Sequence, residues 1–267
     1  MARNSAGTAK TDRPTCLLHA DTSFLHNRSR FFERTIDLYD LIVTTKSPEI
    51  SEFRRRVSTE KLLLTSQSYD STLHYPRCSF AEKRHEAVLI GLSEPSREHT
   101  VLRLLQAGIP VRIGGRGWER FVQRCGSRLP LTYAGPAIFG HEYAVTLSSA
   151  LLGLGMLTRR FPELHTTRTL EIPACGTALA TPITSETRKF FQPNEAIFFE
   201  NADDLVAKAI ELWPRLDDLR SITEAGLARI RGGSFDNDSM IATVLGLTGI
   251  GSAKVTDKTL EQHPSDF

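Results

Sequence analysis

The stretch Thr166-Thr167-Arg168-Thr169-Leu170-Glu171-Ile172-Pro173-Ala174-Cys175-Gly176 decides the fold that we predict for this chain. It is typical of a two-turn helix that follows a polar loop and ends at a glycine. Thr167 can accept hydrogen bonds from the first free backbone N–H groups, and Gly176 can adopt the left-handed conformation that ends many helices. The small and apolar residues from Thr177 to Thr181 then predict a strand.

Arg168 and Glu171 are the unusual residues of this helix. They are three positions apart, so they share one face near the helix start. An arginine fork and free N–H groups suit a phosphate, and a carboxylate suits sugar hydroxyls. A capping box does not explain Glu171, because residue 168 would then have to be Ser or Thr. A solvated Arg168–Glu171 ion pair is the alternative, and the two residues alone leave the choice open.

The run from Arg168 to Gly176 resembles the signature of CgeB-like (spore maturation protein-like) group 1 glycosyltransferases, which have the GT-B fold. The family pattern continues with a phenylalanine, a turn, a glutamate, an apolar strand and the acidic start of a long helix. This chain has Phe191–Phe199 and then Asn201–Val206 at those places. Asn194 stands where the family usually has glycine, and we expect it to adopt the same left-handed turn. The resemblance covers about residues 36 to 240 and is strongest from 166 to 230.

The resemblance implies an α/β protein with two Rossmann-like domains, each built on a parallel sheet. It implies transfer of a sugar from a nucleoside-diphosphate sugar to an unknown acceptor, with no cofactor and no metal. Glu171 would accept hydrogen bonds from the ribose hydroxyls. Arg168, Thr169 and the N–H groups of the helix start would face the diphosphate and offset its charge.

Six further residues complete the predicted nucleotide-sugar site. Each also has a structural interpretation: Arg97 as the first turn of an exposed helix, Trp118 as packing, and Glu195 as a partner of backbone groups. His165, in the loop before the signature helix, has the same two interpretations. The six are Gly91, Arg97, Gly117, Trp118, His165 and Glu195.

Glu163 is the weak catalytic candidate. It precedes Glu171 by eight positions, as the first glutamate does in retaining members of the wider superfamily, although a loop glutamate after proline is more often solvated. His141, Glu142 and Tyr143 belong to the same region, without an assigned role. Asp21 and His26 are near the level at which a general base is expected in the first domain, but the sequence pattern assigns that role to neither.

The order of predicted elements indicates four segments. Apolar runs at Cys16–His19, Leu41–Thr44 and Leu62–Leu64 predict buried parallel strands, and Ser47 with Pro48 predicts a helix through Val57. Because this part is short, we expect an incomplete N-terminal domain with an open strand edge, and therefore self-association. The segments are a disordered tail (1–14), a partial acceptor-side domain (15–80), a nucleotide-sugar domain (81–233), and a return helix with a loose tail (234–267).

Composition narrows the function classes. With 40% hydrophobic and 24% charged residues and a net charge of +2, the chain is an ordinary globular one with no implied nucleic-acid partner. Its four cysteines form no C-x-x-C pair, which argues against a metal site or disulfides. No segment is typical of a signal peptide or a membrane span, so we expect a cytoplasmic protein. A truncated, non-catalytic module that binds a nucleotide sugar or a partner protein is the second hypothesis, and a GT-B sugar-nucleotide epimerase is disfavoured.

Overall fold

The computed structural model describes residues 14–24 and 28–248, so His26 and most of the predicted tail lie outside the described residues. The chain divides into two compact units. One comprises the residues up to Ser66 together with those from Ile241 onward, and the other comprises Gln67–Met240. Residues 67–80, which we assigned to the first domain from sequence, are grouped with the larger unit; the predicted domain bounds stay a prediction.

The smaller unit contains a three-stranded parallel sheet. Its strands are β1 (Cys16–His19), β2 (Leu41–Thr44) and β3 (Leu62–Leu64), in the order β1-β2-β3. All four residues of β2 are buried, as expected for a central strand. The prediction that Cys16–His19 is buried was wrong: within the described residues β1 is an edge strand, and Leu18 is 45% exposed.

Two short helices cover this sheet, and Ile36, Ile42, Phe53 and Val57 form its core. The single helix predicted from Ser47 is instead a 3-10 turn followed by a short α-helix that ends at Arg54. The elements are α1 (Arg30–Thr35), α2 (Ile50–Arg54) and 3-10 turns at Ile36–Leu38, Ser47–Glu49 and Thr59–Lys61.

The larger unit contains a six-stranded parallel sheet in the order β6-β5-β4-β7-β8-β9. The chain order reverses between β4 and β7, as in a dinucleotide-binding Rossmann fold, where ligands bind beyond the carboxyl ends of the strands at the reversal. The strands are β4 (Arg84–Ile90), β5 (Val111–Gly114), β6 (Leu131–Tyr133), β7 (Ala150–Leu154), β8 (Ala178–Pro182) and β9 (Ile197–Phe199).

Helices cover both faces of this sheet, so its central strands are apolar on both sides. Leu89 and Leu152 belong to the core on one face, whereas Val88 and Ile90 belong to the core on the other. The α/β class with parallel sheets is thus confirmed. The helices that begin in this unit are α3 (Pro95–Gln106), α4 (Glu119–Cys125), α5 (Gly140–Ser148), α6 (Thr167–Ala174), α7 (Thr187–Phe190), α8 (Ala202–Leu212), α9 (Leu216–Gly232) and α10 (Asn237–Thr248), with 3-10 turns at Phe80–Glu82 and Gly126–Arg128.

The first and last segments of the larger unit lie side by side. The N–H of Tyr69 donates to the carbonyl of Phe235 across 3.1 Å, and the N–H of Asn237 donates to the carbonyl of Tyr69 across 2.9 Å. The hydroxyl of Ser68 adds a hydrogen bond to the Asn237 side chain at 2.6 Å. These bonds join the two ends of the unit in a short parallel bridge.

The turn before β9 differs from the prediction. Among the described residues only glycines have positive φ, so Asn194 does not adopt the left-handed conformation. Instead the N–H of Glu195 donates to the carbonyl of Gln192 across 3.0 Å. Pro193 occupies the second position of this turn, where its fixed φ is favourable, so no left-handed residue is needed.

Candidate active site

The loops after β4 and β5 pack tightly against each other at the reversal of strand order. Gly115 has a φ of +121°, and a Cβ added there would stand 2.2 Å from the carbonyl oxygen of Gly91. The N–H of Ser93 donates to the carbonyl of Arg116 across 2.9 Å. Only glycine at position 115 permits this close approach of the two backbones.

Trp118 and Gly117 shape the same junction. The Trp118 indole is fully buried, and its Nε1–H donates to the carbonyl of Gly91 across 2.8 Å. Its ring packs edge-on against Phe121. Gly117 has a φ of +90°, and a Cβ there would stand 3.3 Å from that of Ser93. The structure therefore gives both residues a packing role beneath the site, and contact with a ligand stays a prediction.

The signature helix α6 begins one residue earlier than predicted. Thr166, with extended backbone, is the N-cap, and Thr167 is the first helical residue. The side chain of Thr169 is fully buried, and its Oγ1 accepts from the N–H of Thr166 across 3.1 Å. Thr169 thus fixes the helix start through its side chain. Gly176 ends the helix with a φ of +71°, as predicted.

Two arginines meet beside Gly91. A Cβ at Gly91 would stand 3.3 Å from Nη1 of Arg97 and 3.8 Å from Nη1 of Arg168. Arg97 is 4% exposed, so its predicted alternative as an exposed helix turn was wrong. Its guanidinium donates to the carbonyls of Leu92, at 3.0 Å, and Met156, at 3.2 Å. The absence of a side chain at position 91 leaves room for both guanidinium groups.

The charge of these arginines is only partly balanced. Burial, and then the positive charge of Arg168, lower the pKa of the Arg97 guanidinium, while Glu94 and Glu163 raise it. Arg168 is half-buried and forms no hydrogen bond or ion pair with any described residue. Two neighbouring cations, one with unused donors, favour an anion at this place.

Glu171 does not pair with Arg168 in the described structure, so the local ion pair is not formed. Its Oε2 accepts instead from the hydroxyl of Tyr143 across 2.6 Å. Its Oε1 lies 4.0 Å from Nε2 of His74, which is buried. His74 carries no recognisable signal in the sequence, because it precedes the signature by many residues and belongs to a polar loop.

His165 and Glu195 are bonded within the protein. Nε2 of His165 accepts from the N–H of Gln67 across 2.9 Å, so Nδ1 carries the proton and donates to Glu186. Glu195 Oε2 accepts from the N–H of Gln192 across 2.7 Å, within the turn before β9. The structure assigns both side chains to local structure, in agreement with the structural interpretation of each, and a ligand role for them stays a prediction.

Two features of the described residues bear on other function classes. Within residues 14–24 and 28–248, no three His, Cys, Asp or Glu side chains are grouped so that they could hold a metal ion. No described helix is both long and apolar enough to cross a membrane. The four cysteines are all free thiols.

Comparison with known proteins identifies the family. A family model described as glycosyl transferase-like matches residues 97–246, which is more than half of the chain. The chain belongs to this glycosyl transferase-like family. The match includes the arginines beside Gly91 and the whole signature helix. A comparison with curated proteins gives no match.

Solved glycosyltransferase structures share the fold of this family member. Sucrose-phosphate synthase from Thermosynechococcus elongatus is similar with a TM-score of 0.59 and 18% identity, over 86% of this chain and 66% of that one. TarM of S. aureus gives 0.61 and 10%, over 82% and 45%. HepE of Anabaena, solved with UDP-glucose, gives 0.64 and 12%, over 88% and 72%. The GT-B fold is therefore confirmed, and the chain spans less than two thirds of the first two proteins.

Proposed function

We propose that this chain is a CgeB-like glycosyltransferase that binds a nucleoside-diphosphate sugar and transfers its sugar to an acceptor without a metal ion. The observation that carries the proposal is the pair Arg97 and Arg168 beside Gly91. A diphosphate placed there would receive donors from Arg168 and from the start of α6, and it would offset the repulsion between the two cations.

Glu171 and the similar solved structures also support a nucleoside-diphosphate sugar as the donor. In the proposed site Glu171 accepts hydrogen bonds from the ribose hydroxyls, since it lies one helical turn beyond Arg168 on the same face. HepE was solved with UDP-glucose, so a uridine nucleotide is the first donor to test. Glu163, whose charge acts on Arg97, is the candidate for contact with the donor sugar.

The test is calorimetry of the full chain with UDP, ADP, GDP and CDP in the presence of EDTA. We expect one of these to bind, and Arg168→Ala to weaken its binding about tenfold or more, because charged hydrogen bonds contribute about 1.5–3 kcal/mol each. The exposed Arg128 provides a matched control: Arg128→Ala removes the same charge outside the site and should leave affinity unchanged.

Three outcomes would count against the proposal. If none of the four nucleoside diphosphates binds, the proposal is wrong. Equal affinities of wild type and Arg168→Ala would remove the diphosphate role of that residue. Binding that EDTA abolishes and magnesium restores would show that the metal-independent picture is wrong. If binding is found, an assay for release of nucleoside diphosphate from the sugar donor distinguishes the two hypotheses. A transferase releases it, whereas a module that only binds the donor does not.

A further inference from the structure

Tyr143 holds one oxygen of the Glu171 carboxylate in place. The hydroxyl of Tyr143, on α5, donates to Glu171 Oε2 across 2.6 Å. Desolvation, and then the negative charge of Glu171, raise the pKa of the Tyr143 phenol well above its usual value. The phenol therefore keeps its proton and remains a donor. This bond fixes the rotation of the carboxylate before any ligand arrives.

His74 lies beside the same carboxylate. Its ring packs edge-on against Tyr143, with 5.8 Å between the centroids and an interplanar angle of 86°. Nε2 lies 4.0 Å from Glu171 Oε1, which is too far for a hydrogen bond. Nδ1 is buried and has no hydrogen-bond partner among the described residues. Oε1 thus keeps acceptor capacity, and the nearer nitrogen of His74, Nε2, forms no hydrogen bond with it.

A carboxylate held in this way is suited to a vicinal diol. One oxygen is already bonded, so the side chain loses less conformational freedom when Oε1 accepts a hydroxyl. A ligand without that hydroxyl would leave the oxygen removed from water and without a donor. Sites built to bond a hydroxyl reject analogues that lack it for this reason.

We propose that Tyr143 and His74 are positioning residues that present Glu171 Oε1 to the ribose of the nucleotide, so that the site selects ribonucleotides over deoxyribonucleotides. The inference rests on the proposed function, because it needs a nucleotide at Glu171. It adds Tyr143, which bonds the carboxylate, His74, which packs against Tyr143, and the selectivity that follows from them.

The experiment compares affinities for UDP, 2′-deoxy-UDP and 3′-deoxy-UDP by calorimetry on the full chain, with EDTA present. We expect wild type to favour UDP over at least one deoxy analogue about tenfold or more. Tyr143→Phe should bring this ratio close to one, because the freed carboxylate loses its fixed orientation. His74→Gln should also lower the ratio of the affinity for UDP to that for the deoxy analogue. This variant provides the test if Tyr143→Phe does not fold.

Tyr133→Phe is the matched control. The Tyr133 hydroxyl donates to Glu119 Oε1 across 3.0 Å, so this variant removes a similar phenol–carboxylate bond elsewhere in the larger unit. It should keep the wild-type ratio. A purely structural role of Tyr143 and His74 would weaken all three ligands equally, and an unchanged ratio in the folded variants would overturn the inference. If wild type binds none of the nucleoside diphosphates, the proposed function itself falls.

Discussion

The indole N–H of Trp118 donates to the carbonyl of Gly91 across 2.8 Å and ties the loop after β5 to the loop after β4. Trp118→Phe should lower the free energy of unfolding by about 1–3 kcal/mol, through a small cavity and a lost buried hydrogen bond. Urea unfolding measures this loss. Trp213→Phe is the control, because Trp213 is only half-buried against the same core. Equal losses for both variants would show that the bond to Gly91 contributes little.

Alanine substitutions at Gly115 and Gly108 would distinguish the cost of backbone strain from the cost of a steric clash. Both have positive φ, at +121° and +81°, but a Cβ at Gly108 would have no atom within 4 Å. Gly108→Ala should therefore cost only the strain of a left-handed alanine, about 1–2 kcal/mol. Gly115→Ala should cost clearly more and also weaken nucleotide binding, because its Cβ must displace the Gly91 backbone. Thermal unfolding of both variants tests the difference, and equal costs would contradict it.

The two arginines should differ in what they contribute to stability. Arg97 is buried and bonded to two carbonyls, so Arg97→Ala should lower the free energy of unfolding by about 2–3 kcal/mol. Arg168→Ala should leave that free energy unchanged or slightly higher, because it removes a neighbouring like charge. Urea unfolding without nucleotide is the measurement. A large loss for Arg168→Ala would mean that Arg168 serves the fold.

The buried Lys83 should make the free energy of unfolding depend on pH. It is buried, donates to the carbonyl of Ser148 and to Thr177 Oγ1, and desolvation lowers its pKa from 10.5 to about 8. Above pH 8 the unfolded chain therefore holds more protons on this residue than the folded chain does. The free energy of unfolding should rise with pH, by at most about 1.4 kcal/mol per unit.

The Cys175 thiol limits the pH range in which this effect of Lys83 can be measured. Burial raises the pKa of its thiol from 9.0 to about 12, so above pH 9 Cys175 lowers stability as pH rises and opposes Lys83. Between pH 8 and 9, the difference between wild type and Lys83→Met should report the lysine. The variant should lack part of the wild-type rise. Parallel pH curves for the two proteins would show that Lys83 titrates normally.

Unbroken apolar runs made parts of the fold predictable from sequence. The predicted bounds of β2 (Leu41–Thr44) and β3 (Leu62–Leu64) agree with the structure. Buried parallel strands appear in sequence as continuous apolar segments, and α8 begins after Asn201, whose side chain accepts from the N–H of Asp204 across 3.1 Å. These signals are local, so a single sequence contains them.

The errors arose where neighbours in space decide the outcome. The same apolar pattern does not distinguish the edge strand β1 from the central strand β2. The sequence favours Thr167 over Thr166 as the N-cap, because the capping-box pattern has Glu or Gln where this chain has Thr169, whose hydroxyl accepts from the N–H of Thr166. The ribose role of Glu171 stays a prediction, but the sequence did not predict its bond to Tyr143 or its proximity to His74, which join distant parts of the chain. No periodicity or spacing predicts such contacts.

The bridge between Tyr69 and the segment around Asn237 makes the larger unit a topological insertion. Its entry and exit points are adjacent, so it interrupts the sequence of the smaller unit without requiring long connections. The chain from Tyr69 to Asp236 therefore begins and ends at neighbouring backbone positions, so a short linker would join these ends in a circularly permuted protein.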